Sequence, residues 1–316
     1  MLNHTDEWIY HSSHTENVLL ASFYIIIFII SVPSNALALW VFGCYDNHRT
    51  TSKVYLMHLA IADVSYVLVL PMRMIYHISG SHWSLGEGAC RVVGFLFFVN
   101  LYCSMFFMTL ISIDRVLACV IPHKTQNLRN TRNAKVSCAV MWIIVTICMA
   151  PVLFSKKQMT RRFKTWNVTV CEQLYIESSS SLIGAVVSTA VAFFIPLVTM
   201  IVSYILIFCK VKSMTFQEKR PCLRKAKRLI VLTVVNFMIA FVPYHINRFI
   251  FIIQHNDSSK SEMERQSLYL ANRITSALTC VSGVLDPVMY FFLARNYQET
   301  LLQLCGRNSK EEPSTT

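Results

Sequence analysis

The sequence predicts an all-α fold: seven membrane-spanning helices in one bundle, followed by a short amphipathic helix. Three observations carry this prediction. The 316 residues are 54% hydrophobic and only 15% charged, whereas soluble domains are about 45–50% apolar and about 25% charged. Seven long apolar stretches recur along the chain. Lysine and arginine fall mostly on alternate connections between them. This composition argues against a cytosolic enzyme, a disordered chain or a small disulfide scaffold. Eight glycines and no internal repeat argue against a glycine-rich β-array or a solenoid. A net charge of +12 suits nucleic acid, anionic lipid or an acidic ligand, and the positions of the charges decide between them.

The apolar stretches cover 18–43, 53–78, 89–121, 134–154, 180–209, 226–253 and 267–294. Each matches the ~20 residues that a helix needs to cross the hydrocarbon core. The runs are continuous rather than alternating, which favours helices over barrel strands. Pro33, Pro71, Pro196, Pro243 and Pro287 lie inside spans, where packed neighbours can satisfy the carbonyls that a proline frees. Residues 1–17 form a polar N-terminus, 18–294 the bundle, and 295–316 the amphipathic helix and a short tail.

Seventeen of the 29 basic residues lie in connections 1–2, 3–4 and 5–6 and the C-terminal tail, against seven on the other side. The positive-inside rule then puts the N-terminus outside the cell and the tail in the cytoplasm. Topology accounts for the basic charge, and nucleic acid is not an expected partner. The first 17 residues lack a basic n-region, so span 1 is expected to act as an uncleaved signal-anchor. Sequons at Asn3, Asn167 and Asn256 share the outer side and are candidate glycosylation sites. Most of the eleven cysteines lie within spans. The two on the outer side, Cys90 and Cys171, are expected to bridge, pinning the 155–179 loop over span 3. Cys305, after the amphipathic stretch, is a palmitoylation candidate or an ordinary cysteine.

Ionisable groups within lipid are costly and mark function. Asp63 follows Leu59-Ala60-Ile61-Ala62 in span 2. Asp114-Arg115-Val116 closes span 3, and Asp286-Pro287-Val288-Met289-Tyr290 lies in span 7. With Asn35, Trp142, Pro196, Tyr204 and Pro243 in register, this set resembles the rhodopsin-like (class A) G-protein-coupled receptors, over the whole chain. Residues 55–83, 99–109 and 270–292 are similar to the nucleotide and lipid-mediator branch. A receptor of that branch is expected to carry a second outer disulfide, yet neither 1–17 nor 254–266 contains a cysteine. Val116 stands where the family usually has an aromatic residue. Phe241 stands where many members have tryptophan.

The resemblance implies a transducer that couples an outside ligand to a heterotrimeric G protein, of the inhibitory class, at the plasma membrane. Receptor kinases and arrestin are implied partners, with Ser309, Ser314, Thr315 and Thr316 as phosphorylation candidates. Asp63, Asn100, Ser104, Ser282 and Asp286 are implied to hold sodium; a dry hydrogen-bonded cluster or a protonated Asp63 is the alternative. Asp114 and Arg115 are implied to pair at rest and to separate on activation, with Tyr204 and Tyr290 then packing around Arg115. Pro196, Met105, Phe237, Phe241, Asp286 and Pro287 are implied to relay the change.

The candidate ligand site is the least generic feature. Arg73, Arg248 and Arg273 sit near the outer ends of spans 2, 6 and 7, and no acid in the outer halves of the spans partners all three. A guanidinium there meets an anion or snorkels to headgroups. Arginine suits phosphate and carboxylate. His245 shares a helical face with Arg248. Tyr76, Phe98, Tyr102, Tyr244 and Asn247 complete the candidate lining, and a basic 156–164 loop could steer an anion in. The expected ligand is a nucleotide, nucleotide-sugar, cysteinyl leukotriene or related lipid. The rival readings are an orphan receptor with high ligand-free activity and, further off, a transporter or channel. An opsin-like pigment would need a lysine in span 7, and 267–294 has none.

Overall fold

The computed structural model describes residues 12–45, 50–154, 159–163, 167–171, 182–213, 221–254, 261–293 and 295–304. Seven helical spans are long and apolar enough to cross a membrane: His14–Cys44, Thr51–Ile78, Gly86–Cys119, Thr131–Phe154, Thr189–Lys212, Ala226–Gln254 and Met263–Phe292. In chain order the helices are α1 (His14–Trp40, continued by a π turn Val41–Tyr45), α2 (Thr51–Val67), α3 (Leu70–Ile78), α4 (Gly86–Cys119), α5 (Pro122–Thr125), α6 (Thr131–Phe154), α7 (Leu182–Lys212), α8 (Pro221–Ala240), α9 (Val242–Gln254), α10 (Glu262–Thr279), α11 (Ser282–Leu293) and α12 (Arg295–Leu304).

Prolines explain most of the breaks. A proline removes one hydrogen bond to the residue four earlier and crowds that carbonyl. Span 2 accordingly breaks at 68–69 before Pro71, and span 6 breaks at Phe241 before Pro243. Span 7 breaks further ahead of Pro287. From Cys280 to Val284 the backbone runs mostly on three-residue hydrogen bonds, such as Cys280 N to Ala277 O and Val284 N to Val281 O. Pro33 and Pro196 stay inside unbroken helices.

Span 3 is the axis of the bundle and packs on spans 2, 4, 5 and 6. Around it the core is aromatic and aliphatic, with Phe97, Phe107, Phe237, Phe241, Leu59 and Met105 all essentially inaccessible. The outward faces are apolar as well. Ile26, Ile29 and Ile30 on span 1, and Ile143, Ile144 and Ile147 on span 4, are exposed. A belt of that kind suits a surrounding of lipid rather than water. Helix α12 folds back on span 7 and the π turn, anchored by Tyr297, whose hydroxyl donates to Ser34 O at 3.3 Å.

Two features go beyond the expected all-helical outline. A two-stranded antiparallel hairpin, β1 (Thr160–Phe163) and β2 (Val168–Cys171), forms in the 4–5 connection. Span 1 also begins at His14 rather than at 18, because Ser13 caps it by accepting from Glu16 N at 3.1 Å.

Candidate functional site

At one end of the bundle, called the outer end here, Cys90 and Cys171 form the expected bridge, with a Cα–Cα distance of 5.8 Å. It does not hold the hairpin alone. Glu87, one turn before Cys90, accepts from Met159 N at 2.8 Å, Thr160 N at 2.8 Å and Thr160 Oγ1 at 2.6 Å. Arg91 pairs with Glu87 at 2.8 Å and donates to the last carbonyls of span 4, Val152 O and Leu153 O, each at 3.3 Å. Helix C-terminal carbonyls lack intrahelical partners, so a guanidinium there satisfies them. On the other strand, Thr169 donates to His82 Nδ1 at 3.1 Å and accepts from Trp83 N at 2.6 Å. The hairpin is thereby fastened to span 3 and to the turn that follows span 2, and Met159, Phe163 and Val170 are buried. Gly94 keeps this packing possible, since a Cβ there would sit 3.0 Å from Met159 Cε.

Under the hairpin the predicted ligand residues fall into two groups. On spans 3 and 6, Phe98 stacks with Tyr102 at 6.5 Å, and Tyr102 meets His245 edge-on at 6.2 Å. Tyr244 packs against Phe97 at 5.6 Å. Arg248 lies within electrostatic reach of Tyr102, Tyr244 and His245. His245 is wholly buried and stacks on Phe193 at 4.7 Å. Its Nδ1 lies 2.8 Å from Phe241 O. A carbonyl only accepts, so Nδ1 carries the proton and Nε2 of the neutral ring is an acceptor; no hydrogen bond reaches Nε2 from the described residues. Asn247 Nδ2 is buried with no hydrogen-bond partner among the described residues.

The second group lies between spans 1, 2 and 7. Tyr76 packs on His77 and Trp83. Arg73 and Arg273 both act electrostatically on Tyr24 and His77. Arg73 is 5% exposed, and its Nε and Nη2 find no hydrogen-bond partner among the described residues. Arg273 corrects the expectation that the outer arginines lack a built-in counter-charge. Its Nη1 lies 3.5 Å from Glu16 Oε2, and its Nη2 donates to Asn17 Oδ1 at 2.9 Å and Ser81 Oγ at 3.0 Å. The early start of span 1 turns Glu16 from a loop residue into part of its first helical turn, which brings the carboxylate there.

In mid-bundle, Asn100 Nδ2 donates to Asp63 Oδ1 at 3.1 Å, and Asn236 Nδ2 donates to Asp286 Oδ1 at 2.7 Å. The two carboxylates are close enough to interact directly. Asp63 Oδ2 and Asp286 Oδ2 are buried with no hydrogen-bond donor among the described residues. Such a pair needs a shared proton or a cation. A small cavity beside it is lined by Asp63, Asn100, Ser282, Gly283, Tyr66 and Cys280. Ser104 is inaccessible and lies 3.4 Å from Asn100 Nδ2. Asn35 ties spans 1 and 7, donating to Gly283 O at 2.8 Å and accepting from Tyr290 at 3.4 Å.

At the inner end, Asp114 is 3% exposed. Its Oδ2 meets Arg115, as expected, and also accepts from Ser52 Oγ at 2.6 Å. Its Oδ1 pairs with Arg129 Nε at 3.1 Å. Tyr204 packs with Val116, Ile207, Ala226 and Ile230. Tyr290 faces Phe42 and Tyr297, each within 6.0 Å, so the two tyrosines expected around Arg115 on activation belong to separate clusters here. Of the relay residues, Phe237 stacks on Phe193 at 5.8 Å and meets Phe241 at 5.5 Å. Met105 is buried, as are Pro196 and Pro287.

Asn167 is exposed at the hairpin turn and accepts from Arg162 at 2.9 Å. Asn3, Asn256, Cys305 and the phosphorylation candidates lie outside the described residues. Glu16, Asn17, Ser52, Glu87, Arg129 and Asn236 take part in these sites without having been singled out in sequence. Glu87 and Arg91 carried a local signal in their four-residue spacing. The others meet partners on distant segments and had none.

Seven spans, a mid-membrane acid pair, an acid–arginine lock at one end and a disulfide-held hairpin at the other define a membrane receptor rather than an enzyme. Residues 34–290 match the 7 transmembrane receptor (rhodopsin family), and the chain belongs to that family. It is 44% identical over 299 residues to the uracil nucleotide/cysteinyl leukotriene receptor of Homo sapiens, covering 94% of this chain and 80% of that receptor. It is 31% identical to cysteinyl leukotriene receptor 1 of Mus musculus, covering 90% and 81% of the two chains. It is 30% identical to G-protein coupled receptor 183 of Salmo salar, covering 97% and 85%.

Proposed function

We propose that this receptor, with its N-terminus outside and its tail in the cytoplasm of the plasma membrane, senses an extracellular anionic small molecule and activates a G protein of the inhibitory class. The ligand is a nucleotide, nucleotide-sugar, cysteinyl leukotriene or related lipid. The observation that carries this reading is Arg73, a guanidinium buried in the outer half of the bundle with two nitrogens unmet by any described residue. A buried cation without a partner is strongly unfavourable, and an entering phosphate or carboxylate removes that cost. The names of the relatives at 44% and 31% identity point to the same chemistry. The ligand then shifts a pre-existing equilibrium only through contacts that differ between the two states. Contacts at Tyr102, His245 and Arg248 would feed the Phe241–Phe237–Met105 packing and Pro196. Release of Arg115 from Asp114 would open the inner face around Val120, Ile121, Pro122 and Leu229 to the G protein. Receptor kinases and arrestin then act on the tail.

The mid-bundle oxygens fit a sodium ion: hard, anionic or neutral donors from Asp63, Asn100, Ser104, Ser282 and Asp286, with two carboxylate oxygens lacking donors. Sodium would favour the resting packing by neutralising the acid pair. Glycosylation at Asn3, Asn167 and Asn256 and palmitoylation at Cys305 belong to the same topology.

The test is a panel of uridine nucleotides, nucleotide-sugars, cysteinyl leukotrienes and lysophospholipids on the purified receptor with inhibitory, stimulatory and Gq-class G proteins. Nucleotide exchange driven by one anion through the inhibitory class, abolished by Arg73→Ala and Arg248→Ala, is the expected result. Unchanged potency in both variants removes the reading. A second reading, high ligand-free activity, draws on the burial of Met159, Phe163 and Val170 under the hairpin. Strong exchange without ligand, lost on truncating Phe163, would favour it.

A further inference from the structure

Arg73 and Arg273 reach the same polar corner from spans 2 and 7, yet they are met very differently. Arg73 has two buried nitrogens with no partner among the described residues. Arg273 is met at both terminal nitrogens, by Glu16 at 3.5 Å on Nη1 and by Asn17 at 2.9 Å and Ser81 at 3.0 Å on Nη2, with His77 Nδ1 3.4 Å away; only its Nε finds no partner among the described residues. The partners are themselves fixed. Asn17 is 4% exposed and holds Ser12 at 2.8 Å while accepting from Ser81 at 2.7 Å. His77 stacks on Tyr24 at 5.6 Å. Ser81 adopts a positive φ of 63°, a conformation that costs a non-glycine residue energy and persists when its surroundings hold it. The Ser13 cap fixes the backbone of Glu16. The carboxylate is thus delivered to Arg273 by a rigid helix end.

The pair is also exchangeable. The Glu16 and Arg273 side chains are 31% and 21% exposed. Ion pairs that touch water hold weakly, so a ligand anion can displace Glu16, but only against the resident carboxylate.

We infer that Glu16 is a charge-specificity residue: it acts as the receptor's own anion at Arg273, and leaves Arg73 as the guanidinium of this corner with no carboxylate beside it among the described residues. The inference rests on the anion-receptor reading above. Within this corner, apart from Arg248 on the span-6 side, two guanidiniums and one carboxylate leave one positive charge for the part of the ligand that enters it. A monoanionic head matches it. A dianionic head either crowds Glu16 or expels it to water, and loses affinity by that amount.

The probes are two pairs that differ by one ionised group: uridine 5′-monophosphate with its methyl ester, and a cysteinyl leukotriene with its mono-methyl ester. Direct binding is measured on the receptor in lipid nanodiscs at pH 7.4, where a phosphate monoester carries close to two charges. Glu16→Gln keeps the shape and removes the charge, and the ligand-free melting temperature checks the fold. The expected result is a shift of about tenfold in the affinity ratio towards the more highly charged member of whichever pair binds, as charge-assisted bonds imply. Glu16→Asp keeps the wild-type ratio. In an Arg273→Gln background, Glu16→Gln has no further effect. A ratio within threefold of wild type in Glu16→Gln overturns this inference and leaves the anion receptor standing. Absence of binding by all four probes to the wild-type protein overturns both.

Discussion

Arg129 Nε lies 3.1 Å from Asp114 Oδ1, so the acid at the inner end of span 3 serves two arginines at once. Arg115 and Ser52 occupy its other oxygen. One buried negative charge is divided between two cations, and each holds less of it than it would alone.

The first prediction follows from that division. In Arg129→Ala, Asp114 is left to Arg115, which is then held more tightly and released less readily. Ligand-free and agonist-driven nucleotide exchange should both fall several-fold. Stability should fall too, because Oδ1 is left buried and unsatisfied at a cost of about 1–3 kcal/mol. Exchange assays and thermal melts on the same preparation check the pair of outcomes. A variant with more activity and less stability would show instead that Arg129 helps Asp114 restrain Arg115.

How far the sequence could be read depends on where the information lay. The spans follow from continuous apolar runs, and the breaks in spans 2 and 6 follow from Pro71 and Pro243, because both are properties of one segment. The span-7 break falls at Cys280, seven residues before Pro287, and no proline of its own segment marks that position. The hairpin at Thr160–Cys171 has β-branched residues in Val168, Thr169 and Val170, but its strands are too short to stand out, and what stabilises them is Glu87, His82 and Trp83 from other elements. Arg73, Arg248 and Arg273 were all visible as charges near the outer mouth. Only the fold distinguishes Arg273, met by Glu16 and Asn17 from more than 250 positions away, from Arg73, whose Nε and Nη2 no described residue meets.

The second prediction concerns the hairpin. Glu87→Ala removes the acceptor for two backbone N–H groups and one hydroxyl while leaving the Cys90–Cys171 bridge in place. Unsatisfied, partly buried donors cost about 1–3 kcal/mol. The strand around Thr160 should open even though Cys171 stays tethered. Hydrogen exchange should rise at residues 159–163 and stay unchanged in the body of span 3. Ligand dissociation should quicken by roughly tenfold, since a loosened cover acts mostly on the off-rate.

The third prediction tests the acid pair. Asp63→Asn removes one of the two facing carboxylates and its demand for a proton or cation. If sodium sits there, agonist affinity in the wild type should fall as sodium replaces potassium at constant ionic strength, and the variant should lose that dependence. Radioligand competition in the two salts measures it. A wild-type receptor indifferent to the exchange would leave a shared proton as the bridge between Asp63 and Asp286.

The fourth prediction sets stability against function at Arg73. A residue kept for a ligand, rather than for the fold, should be a burden on the empty protein. Arg73 is 5% exposed, with Nε and Nη2 unmet among the described residues. Replacing even a buried ion pair by well-packed apolar side chains is often neutral or stabilising by about 1–4 kcal/mol, and a buried charge with fewer partners is a greater burden still. Arg73→Met should therefore raise the melting temperature of the ligand-free receptor while abolishing its response to anionic agonists. Arg73→Lys should restore little of the response, because an ammonium cannot reproduce the planar two-pronged hold of a guanidinium on phosphate or carboxylate. An arginine that merely supported the packing would behave in the opposite way. Its loss would lower the melting temperature, and the affinity of the remaining folded protein would be unchanged.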